Sequence, residues 1–117
     1  MGDFAFPKHF HLRRPVEFSR VYDGGVKKHS RGFVVFRLDN NLEHPRLGLS
    51  VSRKFGNAVR RNRIKRHIRE AFRLGWQDWR LGGVDLIVIP KRGADAFRSG
   101  DVTKDMSKVF TSSSRGK

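Results

Sequence analysis

Between Arg46 and Ser52 larger apolar and small residues alternate one for one. Leu47, Leu49 and Val51 point to one side of an extended chain, and Gly48, Ser50 and Ser52 to the other, which predicts a strand. Upstream, Phe33-Val34-Val35-Phe36-Arg37-Leu38 reads as a second strand entered from Gly32, with a weaker one over Val26 to Ser30 before it. Asp39-Asn40-Asn41 is turn chemistry, and Pro45 marks the end of that loop. The period changes after Gly56-Asn57: Ile64, Ile68, Ala71 and Phe72 recur on one stripe of a helix running from about Ala58 to Gly75, with Asn57 as its N-cap. Trp76 to Gly83 is a connection, and Val84 to Ile89 is the longest strand-like apolar run, ended by Pro90.

Two further helices complete the pattern. The first starts at Pro15, a residue suited to an opening turn, carries Glu17 at the positive end of its dipole, and stops at Asp23-Gly24-Gly25. Phe18, Val21 and Tyr22 share one of its faces. The last is capped by Asp101 and repeats Val102, Met106, Val109 and Phe110 at helical spacing. Residues 1–13 lack a clear period. The expected organisation is an extended arm over 1–11, one domain over 12–110 and a disordered basic tail over 111–117. The element order αβββαβα implies an α+β sandwich around a small mixed sheet.

Charge narrows the function. The 117 residues hold 26 Lys and Arg against 11 Asp and Glu, a formal net charge of +15. Ten phenylalanines and a hydrophobic content of 37% mark a folded chain rather than a basic tail. A folded domain this basic calls for a polyanion, and nucleic acid is the default. The absence of cysteine excludes a disulfide framework, a zinc knuckle and thiol catalysis. No apolar run approaches the ~20 residues of a membrane span, and the first residues show no signal-peptide pattern, so an intracellular, cytoplasmic setting without a membrane partner is expected.

The cations concentrate on one helix. Arg53, Lys54, Arg60, Arg61, Arg63, Lys65, Arg66, Arg69 and Arg73 face a single acid, Glu70. Projection places Asn62, Arg66, Arg69 and Arg73 opposite the Ile64/Ile68/Phe72 stripe, flanked by Arg63 and Lys65. Like charges at i, i+3 and i+4 cost an isolated helix about 0.2–0.5 kcal/mol per pair. Phosphates compensate such a face, because each one neutralised releases counterions. Arginine forks suit phosphate oxygens, and Asn62 between two arginines is equipped to donate and accept toward a base or ribose. A merely solvated basic face is the bland reading.

The run Gly56-Asn57-Ala58-Val59-Arg60-Arg61-Asn62-Arg63-Ile64-Lys65-Arg66-His67-Ile68-Arg69-Glu70 resembles the signature of the bacterial ribonuclease P protein family. Arg46 to Lys54 is similar to that family's third strand and loop, and Phe18-Ser19-Arg20-Val21-Tyr22 with the following glycines to its first helix. The resemblance runs from about Leu12 to Phe110. It implies the protein subunit of an RNA enzyme that removes the 5′ leader from precursor tRNA. It also implies a left-handed βαβ crossover, as in the second domain of ribosomal protein S5, where the general rule favours the right-handed form. By resemblance, Arg53, Lys54, Arg61, Asn62, Arg63, Lys65, Arg66 and Arg69 would contact the catalytic RNA. Arg60 and Arg73 join them on charge.

The resemblance further implies a groove for the single-stranded leader, lined by Phe18, Tyr22, Val34 and Phe36. Unpaired bases stack on such rings for about 1–3 kcal/mol each. Alternation alone argues otherwise: Val34, Phe36 and Leu38 form an all-apolar face, whereas Phe33 and Val35 share theirs with Arg37, so the Val34 face is expected to be buried. The small Gly48/Ser50/Ser52 face offers a shallow floor. No catalytic pattern emerges. His9, His11, His29, His44 and His67 lack ligand spacing, His9 and His11 reading as a solvated pair and His67 as an extra RNA contact. Asp85 lies in a strand. Hydrolysis would then belong to Mg²⁺ bound by the RNA subunit, with no metal on the protein. A small structural ribosomal protein and a nonspecific nucleoid protein are the rival readings.

Overall fold

Four strands form one mixed sheet in the order β1-β2-β4-β3, with β1 (Val26–His29) and β3 (Arg46–Leu49) at its edges. The computed structural model describes residues 10–77, 79, 81–94 and 102–109. β2 (Phe33–Asp39) runs antiparallel to both β1 and β4 (Val84–Pro90), while β3 and β4 are parallel. A parallel pair needs a crossover. Here it is supplied by a short 3₁₀ turn (Arg53–Phe55) and helix α2 (Ala58–Gly75). Helix α1 (Pro15–Gly24) precedes the sheet, and α3 (residues 102–109) follows it.

The sheet separates two apolar clusters. On one side Phe33, Val35, Leu47, Leu86 and Val88 pack against Ile64, Ile68, Ala71 and Phe72 of α2 and Val102, Met106 and Val109 of α3. Burying each of the larger side chains is worth about 1.5–3 kcal/mol, so this cluster holds α2 in place. On the other side a smaller cluster of Leu12, Val21 and Ile87 is joined by Phe18, Phe36, Leu38 and Ile89 under α1.

The element order αβββαβα and the bounds of α1 and α2 follow the sequence pattern. Two expectations change. The third strand ends at Leu49 rather than Ser52, although Ser50 still donates its N–H to the Val88 carbonyl at 3.1 Å. The Phe33/Val35 face of β2 is the fully buried one, and Val34 and Phe36 are half-buried. The physical reason is that two helices cover the first side and only one short helix crosses the second. Asp101, Phe110, the tail 111–117 and residues 1–9 of the arm lie outside the described residues.

Candidate nucleic-acid interface

Asn57 starts α2 as its sequence requires: its Oδ1 accepts from the Arg60 N–H at 2.9 Å, satisfying one orphan donor of the first turn. Just upstream, buried Phe55 anchors the 3₁₀ turn and leaves Arg53 and Lys54 exposed. Ile64 and Ile68 are fully buried, and that fixes the rotation of the helix. Asn62, Arg63, Arg66, Arg69 and Arg73 are consequently exposed; Arg60, in the first turn, is exposed as well, and Arg61 and Lys65 are half-buried. The ten residues singled out by sequence thus lie on the 3₁₀ turn and on α2, each exposed or half-buried.

Local partners refine that surface. Arg61 donates from its Nη1 to the Gly56 carbonyl at 2.7 Å, which ties its guanidinium to the start of the helix. Arg73 pairs with Glu70 at 2.6 Å, so the single acid of the helix neutralises its last arginine rather than its centre. The Arg73 hydrogen bond holds the Glu70 carboxyl below its ordinary range. Burial, reinforced by the charges of Arg66 and Arg63, pushes the His67 imidazole below the usual histidine range. Arg69 is exposed, yet the protein around it desolvates its guanidinium in part and lowers it too. A cleft of about 230 Å³ brings His11 and Arg13 alongside Lys65 and Arg69. His11 reaches it because it bridges Leu47 in parallel, with the Leu12 N–H donating to the Leu47 carbonyl at 2.9 Å. The solvated pair expected of His9 and His11 therefore does not hold for His11, which is half-buried; its position one residue before apolar Leu12 is the signal.

The aromatic residues gather on the opposite side of the sheet. Phe18 lies over Gly48, where an added Cβ would stand 2.7 Å from the phenyl Cζ. Tyr22 stands 6.4 Å from Phe18 and 4.9 Å from Phe36 between ring centroids. Val34, Phe36 and Ile89 form a half-buried floor beside α1. The ammonium of Lys27 sits 5.7 Å from the Phe36 ring centroid, a cation on the groove's rim that the sequence pattern did not single out.

One partly buried charge network positions α1 over this floor. Arg46 grips Asp85 through two hydrogen bonds of 2.8 Å and reaches Glu17 at 3.1 Å. Glu17 also accepts the N–H groups of Arg13 and Arg14, both at 3.2 Å. Burial opposes ionisation of Glu17, but these backbone hydrogen bonds and the Arg46 charge outweigh it and keep the carboxyl below its ordinary range. The bond to Asp85 raises Arg46 further. Asn40 supplies Asp85 with another donor at 2.9 Å. An acid inside the apolar run Val84–Ile89 was the available signal, since a buried carboxylate demands a cation. Among the described residues, no three His, Asp or Glu side chains converge as metal ligands, and no helix is long and apolar enough to cross a membrane.

Comparison with known proteins gives the same answer by three routes. The family model for ribonuclease P matches residues 6–113. The ribonuclease P protein component of Nitrosococcus oceani is 38% identical over 111 residues, covering 94% of this chain and 92% of its own. That of Oleidesulfovibrio alaskensis is 48% identical over 97 residues, covering 81% and 74%. The solved RNase P protein of Thermotoga maritima superposes with a TM-score of 0.80 at 30% identity, over 87% of this chain and 96% of that one. The Staphylococcus aureus RNase P protein gives 0.79 at 34% identity, over 89% and 94%. The chain belongs to the ribonuclease P protein family.

Proposed function

We propose that the chain serves ribonuclease P, a ribonucleoprotein endonuclease, by binding two RNAs on opposite sides of its sheet. The catalytic RNA takes the surface built from Arg53, Lys54, Arg60 to Arg63, Lys65, Arg66, Arg69 and Arg73. The 5′ leader of precursor tRNA takes the groove of Phe18, Tyr22, Val34 and Phe36. The observation that carries this reading is the separation itself. A cationic helix face suits a folded phosphate backbone, and a half-buried aromatic floor suits unpaired bases. A structural ribosomal protein would have no use for the second surface, and the family match runs against it.

The chain's role is electrostatic and positional: screening RNA–RNA repulsion and holding the leader near the scissile phosphate. Mg²⁺ bound to the RNA supplies the hydrolytic chemistry. Glu17, Asp85 and Asp105 are each committed to internal hydrogen bonds, which leaves these three carboxylates poorly suited to hold that ion. Such an assembly works in the cytoplasm. Reconstitution tests the reading. Protein stripped of nucleic acid should leave precursor tRNA intact at any Mg²⁺ concentration, and adding the catalytic RNA should give cleavage with preference for precursor over mature tRNA. Cleavage by nuclease-treated protein alone, or recovery of ribosomal RNA as its bound partner, would overturn it.

A further inference from the structure

The sheet order gives the aromatic groove a direction. At one edge lies β3, which leads directly into Arg53, Lys54 and the start of α2. At the other lies β1. Helix α1 crosses between them, with Phe18 over Gly48 of β3 and Tyr22 against Phe36 of β2. Three strand spacings amount to about 14 Å, which ~4 stacked nucleotides span at a rise of ~3.4 Å each. A strand that enters beside α2 and stacks along this floor therefore leaves over β1.

That exit is strongly cationic. β1 reads Val26-Lys27-Lys28-His29 and continues through Ser30 to Arg31. Lys27 and His29 pair with Phe36 and Val34 in register, so they flank the groove floor, while Lys28 pairs with Val35 and faces the other way. Around the edge a cleft of about 350 Å³ opens, lined by Lys28, His29, Arg31 and, from α3, Lys108. Its one carboxylate, Asp105, is turned inward and accepts from Ser30 Oγ at 2.7 Å and the Gly32 N–H at 2.9 Å. Lysines on an edge strand also discourage pairing with other chains. That role does not account for Arg31 and a lysine from a separate helix meeting at the same cleft.

We propose that this cleft is a second phosphate-binding site, which takes the backbone of leader nucleotides beyond those stacked on Tyr22 and Phe36. The site rests on the leader reading of the groove and extends it. Lys28 and Lys108 act as point charges on successive phosphates, with no base readout.

A leader-length series on the reconstituted holoenzyme tests it. Wild type should bind precursor tRNA more tightly, with a steeper salt dependence, once the leader exceeds the ~4 nucleotides that cross the sheet. The Lys28→Gln/Lys108→Gln protein should lose that gain and about two units of salt slope. Its affinity for short-leader substrate and for the catalytic RNA should match wild type. Lys108→Glu, exposed on α3 and harmless to the core, should lose the gain by itself. Retention of the long-leader gain in these variants overturns the proposal, as does an equal loss of affinity for the catalytic RNA. A wild-type preference for short leaders with no further gain on lengthening removes the cleft alone. No leader preference at all removes the groove with it.

Discussion

Tyr22 stands edge-on to Phe36 across the junction of α1 and β2, with ring centroids 4.9 Å apart and planes at 89°. Tyr22 is 38% exposed, so part of its side chain stays open to solvent. An edge-to-face pair contributes about 0.5–1.5 kcal/mol to stability, whereas a stacked base contributes about 1–3 kcal/mol to binding. Tyr22→Ala should therefore lower the melting temperature slightly and erode the precursor-over-mature preference by about 1–3 kcal/mol. Affinity for the catalytic RNA should stay at the wild-type level. Equal losses for both tRNA forms would show that Tyr22 is only a packing residue.

The α2 surface makes a separate demand. Arg63 and Arg66 are exposed and project away from the Ile64/Ile68 stripe. Replacing each by alanine should cut the salt slope of catalytic-RNA binding by about one unit per lost phosphate contact. Circular dichroism should show an unchanged fold. A slope identical to wild type would move the RNA to another face.

Arg46 gives a test by stability and pH. Arg46→Ala leaves Asp85, whose side chain is 2% exposed, without its cation and should cost about 3–5 kcal/mol of unfolding free energy. Glu17 behaves differently. Its folded pKa lies below its ordinary 4.5, so its contribution is present above that value and fades as pH falls through the folded pKa. Urea titrations at a series of acidic pH values should show this loss in the wild type, and Glu17→Gln should flatten it. Parallel curves for the two proteins would detach Glu17 from the network.

Much of this architecture was legible from periodicity. The α2 stripe and its Asn57 cap depend on local spacing alone, and both stand where the pattern puts them. The inward face of β2 was not legible. Arg37 made the Phe33/Val35 side look wet, yet burial is decided by how many helices cover each side, a long-range property. The network of Arg46, Asp85 and Glu17 joins residues 29 and 39 positions apart, beyond any local pattern. The cationic cleft at β1 has the same origin, because Lys28 and Lys108 meet only after α3 docks.

Gly48 links packing to the groove, and it provides the last test. A Cβ there would stand 2.7 Å from Phe18 Cζ, closer than packed carbon atoms tolerate, and at a tight 3.1 Å from Leu12 Cβ. The phenyl ring belongs to α1, which the Glu17–Arg46 pair ties to the sheet, so the helix has little freedom to yield. Gly48→Ala should cost about 1–3 kcal/mol of stability, the usual penalty for overpacking. It should also shift Phe18 and Tyr22 together and weaken the precursor preference, while catalytic-RNA affinity through α2 stays intact. Adding Phe18→Leu removes the colliding ring atom and should restore stability, but not the stacking that Phe18 provides. Recovery of both properties in the double variant would mean that Gly48 spaces the helix and Phe18 touches no base.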